Sequence, residues 1–108
     1  ARLLLRHGAE RVLVSLDRDG AFLLDREGLL LARAPEVEVR SSVGAGDAML
    51  AWFTAALLIG LPREEALRRA VAAGSAACLH YGTHAPSREE AEALLSRVGI
   101  DPAGNLPD

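Results

Sequence analysis

The sequence has little cysteine, no excess of basic charge and no long run of apolar residues. Cys78 is the only cysteine, so no internal disulfide can form, and the composition fits a reducing compartment, the cytoplasm. The formal net charge of −3 leaves no basic stripe for nucleic acid, which we therefore do not expect as a partner. The longest apolar run, residues 48–59, is too short to span a bilayer, and the start shows no signal-peptide pattern, so we expect no membrane association.

A recognisable spacing of metal ligands is also missing. His7, His80 and His84 form no metal-binding pattern with one another or with Cys78, so ordinary surface or helix-end positions are favoured and no metal site is predicted. Cys78 lies in Ala-Ala-Cys-Leu, residues 76–79, where a small buried side chain is favoured over a reactive thiol.

Half of the residues are hydrophobic and few are aromatic, which predicts an interior of Leu, Val and Ala under helix-covered sheets. The first strand candidate, residues 11–16, is an apolar run typical of a parallel strand buried on both faces. Turn residues separate it from the later candidates, and the tight turn at residues 26–28 predicts a hairpin-like pair. We predict an α/β fold with a largely parallel sheet, and strands at residues 11–16, 21–25, 29–34 and, as a short edge strand, 36–39.

Helical periodicity begins after residue 47. Residues 48–59 are apolar nearly all round, which predicts a helix buried in the body of the domain, with Met49 and Phe53 in the core, and ended by Gly60. Pro62 suits the first position of a second helix, whose later residues are small enough to pack close to another backbone or to a flat ligand. Residues 87–90 have the capping-box pattern that opens a last amphipathic helix, and residues 101–108 are predicted to be a frayed tail.

The stretch Val43-Gly44-Ala45-Gly46-Asp47 joins the strand region to the apolar helix. Glycines at a helix start let an anion approach unpaired backbone N–H groups at the positive end of the helix dipole. Asp47 falls in the first turn, where its carboxylate can take a proton from a hydroxyl that attacks a phosphate. These residues alone equally fit a plain strand-to-helix turn with an acidic first-turn residue.

A family resemblance favours the phosphate interpretation. Residues 41–49, Ser-Ser-Val-Gly-Ala-Gly-Asp-Ala-Met, resemble the C-terminal signature of the ribokinase-like (PfkB) carbohydrate kinases. Residues 71–77, Val-Ala-Ala-Gly-Ser-Ala-Ala, with Tyr-Gly-Thr at 81–83 resemble the phosphosugar branch, which contains 1-phosphofructokinase, minor 6-phosphofructokinase and tagatose-6-phosphate kinase. The resemblance extends from about Val12 to Leu95. It implies the C-terminal part of a ribokinase-like three-layer α/β/α fold, with residues 1–100 as the C-terminal ATP-binding part of a longer kinase.

The resemblance also implies roles for single residues. Asp47 is the expected catalytic base, and Gly44, Ala45 and Gly46 are the expected anion hole for the transferring phosphoryl group. The implied nucleotide-binding residues are Ser15 and Gly20 at the ATP phosphates, Ser75 at the far end of the nucleotide, and Val43, Gly44 and Gly46 in the glycine loop. The implied cofactors are ATP and Mg²⁺, the metal being held mainly by phosphates and water, with K⁺ as a further expectation.

We therefore expect the parent enzyme to phosphorylate a sugar phosphate, such as fructose 1-phosphate or 6-phosphate, and the 108-residue chain alone to be inactive. Two alternatives stay open: a non-catalytic nucleotide-binding or interaction domain, and a family member acting on an unphosphorylated sugar or a nucleoside. Two residues depart from the family pattern, Asp17 where glycine is usual and Trp52 where a small residue is usual. The resemblance further implies that the full-length parent can form a homodimer through its lid.

Overall fold

The computed structural model describes residues 11–16, 19–40, 43–79 and 86–104, with residues 102–104 described by their backbone alone. The predictions for residues 1–8, Asp17, the three histidines and residues 81–83 therefore lie outside the described residues. The elements, in chain order, are β1 (Arg11–Ser15), β2 (Gly20–Asp25), β3 (Gly28–Arg33), α1 (Ala45–Leu58), α2 (Arg63–Ala77), α3 (Arg88–Leu95) and β4 (Gly99–Gly104).

The described strands form one sheet in the order β1-β2-β3-β4, and every pairing is antiparallel. The hairpin-like pair predicted for residues 21–25 and 29–34 is confirmed, whereas the largely parallel sheet predicted for the fold is wrong for the described strands. The short turn after β1 and the two-residue turn at Arg26 and Glu27 reverse the chain, so that Leu13 pairs with Leu23 and Leu23 with Leu30. An apolar run reports burial but not strand direction, which the turns decide.

Two segments differ from their predictions. Residues 36–39, predicted as a short edge strand, form no strand; β4 pairs with β3 instead, and Pro35 just before them cannot donate a ladder hydrogen bond. Residues 101–104, predicted as the start of a frayed tail, belong to β4 instead. Asp101 lies opposite Leu31 in the register that pairs β4 with β3, and its carboxylate also forms an exposed ion pair with Arg33.

The core lies between one face of the sheet and α2, which contacts the sheet and both other helices. Ala21, Leu23, Leu30 and Ala32 supply the sheet side, all 4% exposed or less. The helix side is supplied mainly by small residues, so that the helices approach the sheet and each other closely. Leu67 is fully buried at the centre.

Helix α1 is buried on only one side. Met49 and Phe53 are core residues as predicted, and Trp52 is half-buried against the same cluster. Leu50 is 59% exposed and Leu58 82%, so the prediction of a helix buried all round is wrong within the described structure. In a uniformly apolar sequence, hydrophobic and polar residues do not alternate with the helical period, so the sequence cannot indicate which side of the helix faces the core.

The helix ends follow their local signals. Gly60, with φ 86°, ends α1 in a Schellman motif: the N–H of Leu61 donates to the carbonyl of Ala56, at 3.0 Å. Ser87 and Glu90 form the predicted capping box at the start of α3. None of the described helices is long and apolar enough to cross a membrane.

An ion pair that is largely buried fixes α2 to the β2–β3 hairpin. The Arg63 guanidinium lies 3.1 Å from the Asp25 carboxylate and donates a 2.6 Å hydrogen bond to the carbonyl of Gly28. The side chains of Arg63 and Asp25 are only 12% and 9% exposed. Loss of one partner leaves the other charge in a poorly hydrated place, so this contact holds the first turn of α2 in register with the sheet.

Candidate functional site

A cavity of about 1300 Å³ opens where four parts of the chain meet. Its walls are the β1–β2 turn, the extended segment 34–39, the first turns of α1 and the last two turns of α2. The described residues that line it are Ser15, Leu16, Asp19, Gly20, Ala34, Pro35, Glu36, Val37, Val39, Ala45, Gly46, Met49, Val71, Gly74, Ser75 and Cys78. Five of the residues singled out in the sequence, Ser15, Gly20, Ala45, Gly46 and Ser75, are thus brought to one site from distant parts of the chain.

The other singled-out residues lie beside this cavity without lining it. Val43 is 53% exposed and precedes α1. Gly44 is the N-cap of α1 with φ 85°, a left-handed conformation that only glycine adopts without strain. Asp47 is exposed in the first turn of the helix.

The first turn of α1 presents free backbone donors. The N–H of Ala48 donates to the carbonyl of Gly44 at 2.9 Å, and no acceptor for the N–H groups of residues 45–47 is found in the described part of the chain. A Cβ atom placed on Gly46 would meet nothing within 4 Å. No contact with the described residues therefore requires a glycine at position 46, whereas a ligand that approached its N–H closely would require one.

The β1–β2 turn is closed by backbone hydrogen bonds. The N–H of Leu16 donates to the carbonyl of Gly20 at 2.8 Å, and the N–H of Asp19 donates to Leu16 at 3.1 Å. Gly20 has φ 123°, and a Cβ atom there would collide with the carbonyl oxygen of Ala32. The packing of the sheet is thus enough to require this glycine, whatever the turn binds.

Helix α2 offers one face to the cavity, through Val71, Gly74, Ser75 and Cys78. A Cβ atom on Gly74 would lie 3.4 Å from the carbonyl oxygen of Ala45, so the small residue allows the start of α1 to pack against α2. Ser75 is 8% exposed and lines the cavity, so it is the polar residue that this face of α2 brings to the cavity wall.

Cys78 corrects an expectation. It is half-buried and lines the cavity, rather than being a fully buried core residue. It is the C-cap of α2, and its carbonyl accepts a 2.8 Å hydrogen bond from the N–H of Arg40, which joins the end of α2 to the chain just beyond segment 34–39. The spacing 71, 74, 75 and 78 follows one helical face and could have indicated this position from the sequence.

The described side chains that line the cavity carry only negative charge. Among the described lining residues, Asp19 and Glu36 are acidic and none is an arginine. From the described lining residues, an anionic ligand would therefore obtain backbone N–H groups and the helix dipole rather than a cationic side chain. The described residues contain no group of three or more His, Cys, Asp or Glu side chains arranged to hold a metal ion.

The match to a known family covers most of the chain. The model of "pfkB family carbohydrate kinase" matches residues 1–91. The chain belongs to the PfkB family. Two curated relatives of this PfkB chain are a 1-phosphofructokinase from Bacillus subtilis and a D-tagatose-1-phosphate kinase from Bacillus licheniformis. The first is 38% identical over 97 residues, which cover 90% of this chain and 31% of the relative. The second is 48% identical over 79 residues, which cover 73% of this chain and 26% of the relative.

Solved structures give the same fold. Phosphofructokinase-2 from Escherichia coli, in complex with potassium, matches with a TM-score of 0.84 at 38% identity, over 90% of this chain and 32% of that one. Ribokinase from Thermotoga maritima matches with a TM-score of 0.83 at 30% identity, over 89% of this chain and 33% of that one. The predicted fold class, α/β and part of a ribokinase-like fold, is confirmed, with the correction that the described strands are antiparallel.

This PfkB chain spans about a third of the length of the proteins that it matches. Family and fold are thus established for the segment. The roles of single residues, the cofactors, the oligomeric state and the cytoplasmic location stay predictions.

Proposed function

We propose that this chain is the nucleotide-binding part of an ATP-dependent sugar-phosphate kinase, with the phosphates at the first turn of α1. The observation that carries the proposal is the cavity itself. Ser15, Gly20, Gly46 and Ser75 come from four separate segments of the chain, and all four line it. A chance strand-to-helix turn would give no reason for Ser15 and Ser75 to line the same cavity as Gly46.

The empty space at Gly46 supports a phosphate rather than a protein contact. The N–H groups of residues 45–47 have no acceptor in the described structure, and they lie at the positive end of the α1 dipole. Because Asp19 and Glu36 add negative charge to the cavity, ATP needs its charge reduced by Mg²⁺. We therefore expect Mg-ATP to bind more tightly than metal-free ATP. K⁺ near the glycine loop is a further proposal, supported by the potassium complex of the E. coli phosphofructokinase-2.

Asp47 is the proposed general base. Its carboxylate is exposed in the same first turn that would hold the phosphoryl group, so it can accept the proton of an acceptor hydroxyl that enters from outside this segment. The N–H groups of residues 44–46 would stabilise the charge that develops on the transferring group. Positioning and charge stabilisation are the main requirements of phosphoryl transfer, and both are met by one helix terminus.

The acceptor is proposed to be a phosphorylated ketohexose. The names of the relatives, 1-phosphofructokinase and D-tagatose-1-phosphate kinase, support this class, while the match to ribokinase keeps an unphosphorylated sugar as the second candidate. In this proposal the described residues that line the cavity serve the nucleotide, and the residues that select the sugar belong to the rest of the parent enzyme. We therefore expect the 108-residue chain to bind nucleotide without appreciable transfer.

A chimera tests the activity. This chain replaces the matching third of the B. subtilis 1-phosphofructokinase, to which it is 38% identical, and transfer from ATP to fructose 1-phosphate is assayed. We expect the chimera to be active, and Asp47→Asn to lower kcat by about 10²–10⁴ without a matching loss of ATP binding. Asp101→Asn, which changes an exposed carboxylate in β4, is the matched control. A folded chimera that binds ATP but transfers nothing would support the non-catalytic alternative.

A further inference from the structure

We propose that Arg97 is a positioning residue for the nucleotide site: its guanidinium holds segment 34–39 in place as one wall of the cavity. The inference rests on the proposed function, since it takes the cavity to be the nucleotide site. Arg97 is not among the residues that line the cavity, so it acts through the segment rather than on the ligand. It also follows the stretch that the family model matches, residues 1–91, so the family match gives it no role.

Segment 34–39 forms much of the cavity wall but has no regular structure of its own. All of its residues except Glu38 line the cavity. None of its residues belongs to a helix or a strand, so the hydrogen-bond pattern of a regular element does not fix its backbone. The position of this wall therefore depends on contacts with neighbouring elements.

Backbone hydrogen bonds hold the two ends of the segment. At its start, the N–H of Ala34 donates to the carbonyl of Asp19 in the β1–β2 turn, at 3.2 Å. Just beyond its end, the N–H of Arg40 donates to the carbonyl of Cys78 at the end of α2, at 2.8 Å. Ala34 and Val37 also pack against the core, but apolar contacts are non-directional and do not fix the orientation of the backbone between the ends.

Arg97 supplies a directional contact at the middle of the segment. Its guanidinium donates a 2.6 Å hydrogen bond to the carbonyl of Glu36, and a charged donor makes this bond stronger than one between neutral groups. The backbone around Arg97 is itself fixed, because its N–H donates to Leu94 at 3.0 Å and the N–H of the buried Val98 donates to Leu95 at 3.2 Å. The side chain thus joins the turn after α3 to a part of the chain 61 residues away.

A cavity wall that is ordered before the ligand arrives increases affinity, because binding then does not include the cost of ordering it. The three hydrogen bonds described above join the segment to the β1–β2 turn, the end of α2 and the turn after α3. The proposed phosphate donors, in contrast, are backbone groups in the first turn of α1. We therefore expect Arg97 to affect binding of the nucleoside part of ATP more than binding of its phosphates.

Binding of three ligands tests this expectation. Calorimetry measures the affinities of the original chain and of Arg97→Ala for Mg-ATP, adenosine and inorganic tripolyphosphate. We expect Arg97→Ala to weaken Mg-ATP and adenosine about three- to tenfold, the contribution of one hydrogen bond, and tripolyphosphate less than about twofold. Arg97→Lys retains the charge and a donor, so it should bind Mg-ATP within about twofold of the original chain.

Arg88→Ala is the matched control. Like Arg97, Arg88 is exposed and does not line the cavity, but its guanidinium pairs with Glu92 within α3. The two alanine variants change the net charge equally. We expect Arg88→Ala to leave the affinities for all three ligands within about twofold of the original values.

Amide hydrogen exchange shows whether Arg97 orders the segment. In Arg97→Ala without ligand, the N–H groups of Ala34 and Arg40 should exchange about three- to tenfold faster than in the original chain. The N–H of Leu23, in the middle of β2, should exchange at its original rate, because the sheet is unchanged. A general loss of stability would instead increase exchange at all three positions.

The two proposals fail on different results. If the original chain binds Mg-ATP and a folded Arg97→Ala variant binds Mg-ATP and adenosine within about twofold of it, the positioning role is wrong and the proposed function stands. The positioning role is also wrong if Arg97→Ala does not fold or weakens all three ligands equally, since Arg97 would then support the fold as a whole. If the original chain binds no Mg-ATP, the proposed function fails for this chain, and the role of Arg97 in the nucleotide site fails with it.

Discussion

Replacing Gly46 by alanine should change stability and nucleotide binding in opposite directions. Gly46 lies in α1, and a Cβ atom there meets nothing within 4 Å. Alanine is favoured over glycine in a helix by about 0.5–1 kcal/mol, so Gly46→Ala should raise the free energy of unfolding by up to that amount. The same methyl group would keep a phosphate away from the N–H groups of the first turn. A hydrogen bond to a charged group contributes about 1.5–3 kcal/mol, so losing one should weaken Mg-ATP binding about 10- to 100-fold.

A glycine at the other end of the same helix is the control. Gly60 has φ 86° and also has open space around its Cβ position, so Gly60→Ala should lower stability by about 1–2 kcal/mol through backbone strain alone. It should leave Mg-ATP binding unchanged, because Gly60 does not line the cavity. Urea denaturation gives the stabilities and calorimetry the affinities. A Gly46→Ala variant that is folded and binds Mg-ATP as tightly as the original chain would refute the placement of the phosphates.

Two further stability predictions test the packing by urea denaturation. Arg63→Ala should lower the free energy of unfolding by about 3 kcal/mol or more, because it leaves the buried Asp25 carboxylate without its cation. Arg88→Ala, at an exposed pair on α3, is the control and should cost less than about 0.5 kcal/mol. Equal losses in the two variants would contradict the burial of the Arg63–Asp25 pair. Phe53→Ala should lower the free energy of unfolding by about 3–5 kcal/mol, because Phe53 is a core residue. Leu58→Ala, on the exposed side of α1, should cost less than about 0.5 kcal/mol. A large loss of stability in Leu58→Ala would mean that this face of the helix is covered.

Features set by a few neighbouring residues were predictable from the sequence. The capping box at residues 87–90 and the glycine end of α1 at Gly60 are local patterns, and the structure contains both. The buried positions of Met49 and Phe53 were also predicted. In each case the signal and the structure lie within the same helix or helix end.

Features set by distant packing were not predictable in the same way. The run at residues 11–16 is equally apolar for a parallel and an antiparallel strand, and the turn at Gly20 decides between them. The segment that forms β4 contains two glycines and a proline, and it is a strand because β3 offers it an edge with which to pair. Neither fact can be read from the strand's own residues.

Some residues of the candidate site were also predictable from the sequence, and others were not. The glycine segment was found through its motif, and Ser15 and Ser75 through the family resemblance. Cys78 and the extended segment 34–39 line the cavity for a different reason, namely that α2 packs where its last turns face that segment. Their part in the site depends on tertiary packing, so the sequence favoured a buried cysteine and an edge strand instead.

Backbone amide shifts on titration with Mg-ATP are the most direct test of where the nucleotide lies. In the ¹⁵N-labelled chain, we predict that Mg-ATP and inorganic tripolyphosphate both move the amide signals of Ala45, Gly46 and Asp47. Adenosine should move Ser75 and Cys78 and leave those three unchanged. Binding that leaves residues 45–47 unmoved, with the largest shifts in α3 or β4, would contradict the assignment of the α1 terminus as the phosphate site.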